Sequence, residues 1–437
     1  MENENIATAQ VAPLSLTVGE VDQTGIDFIA NGGSTSALGF KAAGIHAGFR
    51  ADPDRLDYGL VVADEPCACA ATFTTNVFCA APVIVSREHL DGCSYGTARA
   101  ISINSGIANA ATGHVGLETA QRSCEIVADA VGCPASEVLV ASTGVIGQHL
   151  DLHPFEEGAP VAVAALSRDG GARAARAIMT TDTHPKEAAV SFSGDAIGYP
   201  GAVFTVGGMA KGAGMIMPNM ATMISVITTD APVRADFLHE VLVDAVNHSF
   251  NKVTVDSDTS TNDSCFLMAS GAAAPEGPYF EAGTPAGELF ARAVQTVCRT
   301  LARNMAADGE GATRLVLVRL TGAASAADAD AAARTVANSP LVKTAIFGHD
   351  ANWGRIAGAL GRSGVRFNQE DVSIDIMGLP VCRCGITVPF DEEEALRRFE
   401  RPEIDIDIDL GAGDFQTMMW TCDFSYEYVK INGDYRT

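Results

Sequence analysis

The densest run of residues able to do chemistry is Lys211-Gly212-Ala213-Gly214-Met215-Ile216-Met217-Pro218-Asn219-Met220-Ala221-Thr222, which sets a cation, two glycines, a Pro-Asn bend and a hydroxyl close together. Glycines beside a lysine can cradle a phosphate, but the order Gly-x4-Gly-Lys-Ser/Thr is missing because Lys211 precedes its glycines. Taken alone, the run reads as a tight loop between strands. Ser142-Thr143-Gly144 taken alone reads as an ordinary turn. Lys211 and Glu310 carry opposite charges, as needed to hold an amino acid by its carboxylate and its amine, although either side chain alone reads as solvated. The close cysteine pairs Cys67/Cys69 and Cys382/Cys384 are spaced too tightly for a zinc site, and there is no His-Glu-x-x-His. Asp405, Asp407 and Asp409 would stand about 6.6 Å apart on one strand face, which reads as a solvated face. No metal and no cofactor is assigned.

These residues must be positioned by a substantial scaffold. A chain of 437 residues, with 47% hydrophobic and 19% charged residues, can bury two or three ordinary cores without disulfide or metal staples. Its net charge of −25 disfavours nucleic acid and anionic membrane as partners. Eleven scattered cysteines read as reduced, mostly buried thiols of a cytoplasmic protein. Residues 1–30 contain no Lys or Arg, the charge a presequence needs, and no apolar run approaches a membrane span.

Residues 1–43, with the Gly-Gly-Ser-Thr-Ser run at 32–36, read as a loosely ordered extension. Beyond them, strands are expected at 60–63, 83–86, 100–103, 137–141, 188–192, 203–206, 223–228, 253–255, 265–268 and 314–320. Helices are expected at 117–131, 161–178, 233–247, 287–306 and 326–336, with a glycine-rich loop at 207–214. Residues 404–409 alternate Ile and Asp, which predicts a strand with one apolar and one acidic face. This order argues for an α/β (α+β layered) fold, helices packed over sheets.

The Lys211–Thr222 run does not stand alone. With 141–147 (ASTGVIG), 178–183 (IMTTDT), 255–263 (VDSDTSTND), 308–313 (DGEGAT), 352–356 (NWGRI) and 428–437 (YVKINGDYRT), it resembles the ornithine acetyltransferase, or glutamate N-acetyltransferase, family over roughly residues 44–437. The resemblance implies a DmpA-like fold of sheets sandwiched by helices. It also implies that the chain cuts itself between Ala221 and Thr222, giving interwoven alpha (44–221, after the extension) and beta (222–437) chains in a heterotetramer or larger assembly.

The implied reaction moves the acetyl group of N2-acetylornithine to glutamate through an acetyl-Thr222 intermediate. To cut the chain, the Thr222 hydroxyl attacks the Ala221 carbonyl, forming an ester that water opens. The freed α-amine, with a reference pKa of about 7.7–8.0, can then take the proton from its own hydroxyl. The resemblance assigns the oxyanion to Thr143 and the Gly144 N–H. It assigns substrate binding to Thr180 or Thr181, Lys211, Thr222, Glu310, Asn432 and Thr437, the last two requiring the tail to fold back over the site. Coenzyme A is a poorer donor for want of a phosphate cradle. Ile107 stands where the family commonly has asparagine, Ser257 where it has glycine and Gly433 where it has alanine. A relative acting on another N-acylated amino acid, an amidohydrolase and a catalytically silent binding protein are the alternative readings.

Overall fold

The structure is a computed structural model that describes residues 20–217 and 223–434. The chain divides into two units, Val21–Glu310 and Gly311–Gly433.

In the first unit, nearly continuous apolar and small residues build strands that are mostly buried on both faces, the two-residue exposed β1 apart. They are β1 (Asp27–Phe28), β2 (Phe40–Ile45), β3 (Tyr58–Phe73), β4 (Tyr95–Ile107), β5 (Val138–Val145), β6 (Lys186–Ser193), β7 (Val203–Lys211), β8 (Ile224–Thr229) and β9 (Ser264–Ala269). The sheet runs β1-β6-β7-β8-β9-β3-β4-β5. The long β3 lets it fork: its first half pairs with β2 and its second half with β9, across a register shift between Val62 and Cys67. Alternate side chains point to opposite faces. Tyr58, Leu60, Ala100, Val138 and Val140 pack with buried residues of the helices Ala81–His89, Gly113–Val131 and His153–Ala164. Val61, Ile101, Ile103, Leu139 and Ala141 form the other core with Met209, Val226, Phe266 and residues around the helix Gly171–Ala177. The helix Ala235–Asn247 packs on β3, and Pro285–Ala307 on β6 and β7.

In the second unit, β10 (Leu315–Ala323), β11 (Ser373–Ile376), β12 (Leu379–Arg383), β13 (Ile386–Thr387), β14 (Glu403–Asp409) and β15 (Phe415–Cys422) form a sheet in the order β13-β12-β11-β14-β10-β15. Ile404, Ile406 and Ile408 enter its core beside the helices Ala326–Ala337 and Trp353–Gly361. The 352–356 stretch supplies a helix cap, the Asn352 side chain accepting from the Arg355 N–H.

Most expected elements are present, and the departures have physical causes. Residues 83–86 lie in the helix Ala81–His89, not a strand: Pro82 sits in its first turn, and the Ser86 hydroxyl donates to Val140 O. The helix expected at 161–178 is two helices, parted at residues 165–170 where Ser167 forms a β-bridge with Ala42 and a Cβ at Gly170 would lie 1.8 Å from Ala42 O. The first half of the 207–214 loop is the end of β7. Residues 253–255 lie outside the named strands, Val255 N–H donating to Ile216 O.

The extension is also not loose from residue 26 on. Ser34, Ala37 and Phe40 are buried, Thr228 donates to Ser34 O, and Leu38 N–H donates to Asp230. Residues 1–19 lie outside the described residues. The acidic face of β14 is not simply solvated. Arg319 on β10 bonds Asp405 at 2.9 Å and Asp407 at 2.8 Å, and Asp407 is buried.

Candidate active site

The fold brings the end of β5 to the end of β7. β5 runs parallel to β4 with Thr143 opposite Ser105 and Gly144 opposite Gly106. Gly144 has a φ of +132°, and a Cβ there would lie 2.2 Å from the Gly106 carbonyl carbon, so only glycine fits. Thr143, one residue earlier, is buried, and its Oγ1 accepts from Lys211 Nζ at 3.3 Å. Lys211 is 3% exposed. Burial pushes its ammonium below the ordinary lysine range; Asp182 and Glu310 oppose that shift, while Lys186 and Arg50 add to it.

Beneath Lys211 lies a buried ionic group. Lys186 Nζ donates to Asp182 Oδ1 and Asp308 Oδ2, each at 2.6 Å. Asp182 also accepts from the N–H groups of Gly212 at 2.7 Å and Thr180 at 3.0 Å, and Asp308 accepts from the Thr183 N–H at 3.1 Å. Burial opposes ionisation of Asp182, but the Lys211 and Lys186 ammoniums and the Gly212 N–H outweigh it and hold the carboxyl well below its usual range. The group thus ties the Thr180-Thr181 turn to the segment that follows Lys211.

That segment is fastened from the other side as well. Asp256 accepts from Met215 N–H at 2.6 Å and Ile216 N–H at 2.8 Å, and Thr259 donates to Met217 O. Across from it, the Asp263 carboxylate accepts from the Met223 N–H at 2.8 Å. Asn262 donates to Ser142 O at 2.8 Å and Ala108 O at 2.6 Å, locking the 259–263 loop to β5 beside Thr143. Glu310 is buried over Gly214, where a Cβ would lie 2.4 Å from its carboxyl carbon, and its N–H donates to Ala213 O.

Of the residues expected at the site, Thr143, Gly144, Lys211, Glu310, Thr180 and Thr181 lie in this one unit. Lys211 and Glu310 are both buried, not solvated, and a buried cation beside a hydroxyl and a carboxylate suits a small zwitterion. Thr180 and Thr181 are both half-buried. Thr180 O accepts from Arg55. Asn432 is exposed on the helix Tyr426–Asp434 of the other unit, its amide donating to Tyr428 O. Ala221, Thr222 and Thr437 lie outside the described residues.

Ile107 packs against the core with the helices Gly113–Val131 and His153–Ala164, and Ser257 holds a φ of +67°, the conformation a glycine adopts without strain. Asp182, Lys186, Asp308 and Asp263 were not expected at the site. Asp182, Asp263 and Asp308 stand inside stretches that carry the family resemblance, and that placement was the available signal.

Comparison with known proteins identifies the family. The ArgJ family pattern matches residues 41–437. The arginine biosynthesis bifunctional protein ArgJ of Symbiobacterium thermophilum is 46% identical over 407 residues, covering 93% of this chain and 99% of that protein. Its counterpart in Dehalococcoides mccartyi is 44% identical over 416 residues, covering 95% and 100%. Among solved structures, the Bacillus halodurans argJ protein is 41% identical over 48% of this chain and 98% of that one, with a TM-score of 0.47. An ornithine acetyltransferase from Mycobacterium tuberculosis, solved with ornithine, is 39% identical over 44% and 98%, with a TM-score of 0.40. With a family match across nine-tenths of its length, and buried Thr143, Lys211 and Glu310 gathered in one unit, the chain belongs to the ArgJ family.

Proposed function

We propose that this protein moves the acetyl group of N2-acetylornithine to glutamate through an acetyl ester of Thr222, after cutting itself between Ala221 and Thr222. The observation that carries the reading is the contact of Lys211 with Thr143 beside Gly144, with Glu310 over Gly214 in the same unit. Acetylornithine and glutamate share an α-carboxylate and a nitrogen substituent, so one buried pair of charges serves both half-reactions. Thr143 and the Gly144 N–H stabilise the tetrahedral oxyanion, and the α-amine of Thr222 takes the hydroxyl proton.

The fold accommodates the cut. Lys211 on β7 pairs antiparallel with Ile224 on β8, and β8 and β9 lie between β7 and β3, so the pieces 1–221 and 222–437 share one sheet. They remain together as interwoven alpha and beta chains, in a heterotetramer or larger assembly. The cysteines are thiols, many of them buried, which suits a reducing cytoplasm.

Initial rates with acetylornithine and glutamate test the reaction. Parallel double-reciprocal lines are expected, with ornithine released beyond one equivalent per site only when glutamate is present. Intersecting lines, faster turnover with acetyl-CoA, or free acetate formed equally with and without glutamate would overturn the transfer assignment.

A further inference from the structure

Two arginines converge on the Thr180-Thr181 turn, and both come from the loop 46–57 that joins β2 to β3. Arg50 Nη2 donates to Met179 O at 2.9 Å, and Arg55 Nη2 donates to Thr180 O at 2.8 Å. These are successive carbonyls just past the helix Gly171–Ala177, where backbone acceptors run out of helical donors. From the other side, the Thr180 N–H donates to Asp182.

The loop is built to hold Arg50 in place. The fully buried Asp57 carboxylate accepts from the N–H groups of Ala47 at 2.6 Å, Gly48 at 3.2 Å and Arg50 at 2.9 Å, and Asp57 O accepts from the Ser105 N–H at 2.8 Å. Ser105 stands opposite Thr143 in the β4–β5 pair, and its hydroxyl donates to Ala177 O at 2.8 Å. Arg50 then crosses Gly106, where a Cβ would lie 3.0 Å from its Cγ. Gly106 is the residue that backs Gly144. The stem of Arg50 therefore packs behind the oxyanion loop while its guanidinium reaches the substrate turn, and its charge adds to the downward push on the Lys211 ammonium.

Water can satisfy the carbonyl of a half-buried turn, and Arg55 is itself exposed, so hydrogen bonding alone does not call for two arginines. A planar guanidinium on an anchored loop adds a fixed position. The turn must stand at a set distance from Thr143 and Gly144 if one bound amino acid is to reach both.

We infer that Arg50, with Arg55 beside it, is the positioning residue that sets the Thr180-Thr181 turn against the Thr143-Gly144 loop, so that the turn is ready for the amino-acid head before substrate enters. The inference rests on the acetyl transfer and the substrate role of that turn proposed above. Arg50 acts through Met179 and Gly106 and takes no proton. Because acetylornithine and glutamate share the amino-acid head, both should respond to its loss.

Steady-state kinetics of the purified enzyme test this, with KM read separately for acetylornithine and glutamate. Arg50→Met keeps a stem over Gly106 and deletes the guanidinium. KM should rise about tenfold for both substrates, the effect of losing one charged hydrogen bond to the turn, with kcat held within about threefold because β4 still backs Gly144. Arg50→Lys restores a cation and a donor and should recover part of the affinity. A merely structural role would lower the thermal midpoint and the active fraction, hence kcat, and leave KM unmoved. That pattern overturns the inference, as does a KM changed for glutamate alone, the mark of a cation that reads the side-chain carboxylate. Should Arg50→Met not fold, Arg55→Met decides, since that side chain lies at the surface: KM raised about threefold for both substrates supports the inference, and unchanged KM overturns it. A natural chain that releases no ornithine from acetylornithine rejects the transfer reading itself, an outcome distinct from failure of Arg50 alone.

Discussion

Lys186→Met removes the cation at the centre of the buried ionic group while keeping most of its volume. The Lys186 side chain is wholly enclosed, with Asp182 and Asp308 each at 2.6 Å. Removing one partner of a buried pair costs about 3–5 kcal/mol, because the other charge stays buried. Here two carboxylates lose their cation, but Asp182 keeps the Gly212 and Thr180 N–H bonds and the field of Lys211, and Asp308 keeps the Thr183 N–H. The lower end, about 3 kcal/mol, is therefore expected. At about 2–4 °C per kcal/mol, the midpoint of the first unit should fall by about 6–12 °C in differential scanning calorimetry.

The acid dependence carries its own sign. Asp182 is held below its usual value in the folded chain, so its contribution is fully present above the ordinary carboxylate range and is lost as pH falls towards the folded value. The gap between the natural chain and Lys186→Met should narrow as pH drops through that range. A loss under about 1 kcal/mol, the size of an exposed pair, or a gap that widens in acid, would refute the buried-pair argument.

Three further substitutions probe the site. Thr143→Val keeps the shape but deletes the hydroxyl that faces Lys211, and kcat should fall by about 10²–10³ with little change in KM, measured as ornithine release. Gly144→Ala places a carbon 2.2 Å from the Gly106 carbonyl at a φ of +132°, so thermal melts should show a loss of about 1–3 kcal/mol and the assay a fall in kcat. Ser257→Gly relieves a left-handed φ of +67° under the loop that carries Asp256, and should leave activity intact while changing stability by no more than about 1 kcal/mol, read by urea unfolding.

Much of the scaffold was legible because local pattern and burial agree. The apolar runs of β4, β5, β8 and β9, and the long helix Pro285–Ala307, follow from periodicity alone. Where tertiary contact overrides local preference, the sequence misleads. Val83-Ile84-Val85 is strand-like by composition, yet the segment becomes a helix whose Ser86 bonds β5. Gly207 and Gly208 look like a loop, yet they lie in β7, where a Cβ at Gly207 would meet Gly33 O at 2.1 Å. Lys211, Thr143 and Glu310 could be named from the family resemblance. The Lys186–Asp308 pair, 122 residues apart, and the Asp263–Met223 clamp, 40 apart, depend on sheet order, which no short-range pattern encodes.

The central claim is that Thr222 becomes a terminal nucleophile that carries the acetyl group. Intact-mass analysis of the purified protein, before and after brief exposure to acetylornithine without glutamate, tests it most directly. Two fragments of nearly equal size should be found, the second beginning Thr222-Met223-Ile224, and only that second fragment should gain one acetyl group, lost again when glutamate is added. A single uncut species that still turns over substrate, or an acetyl group carried on the 1–221 fragment, would contradict the account.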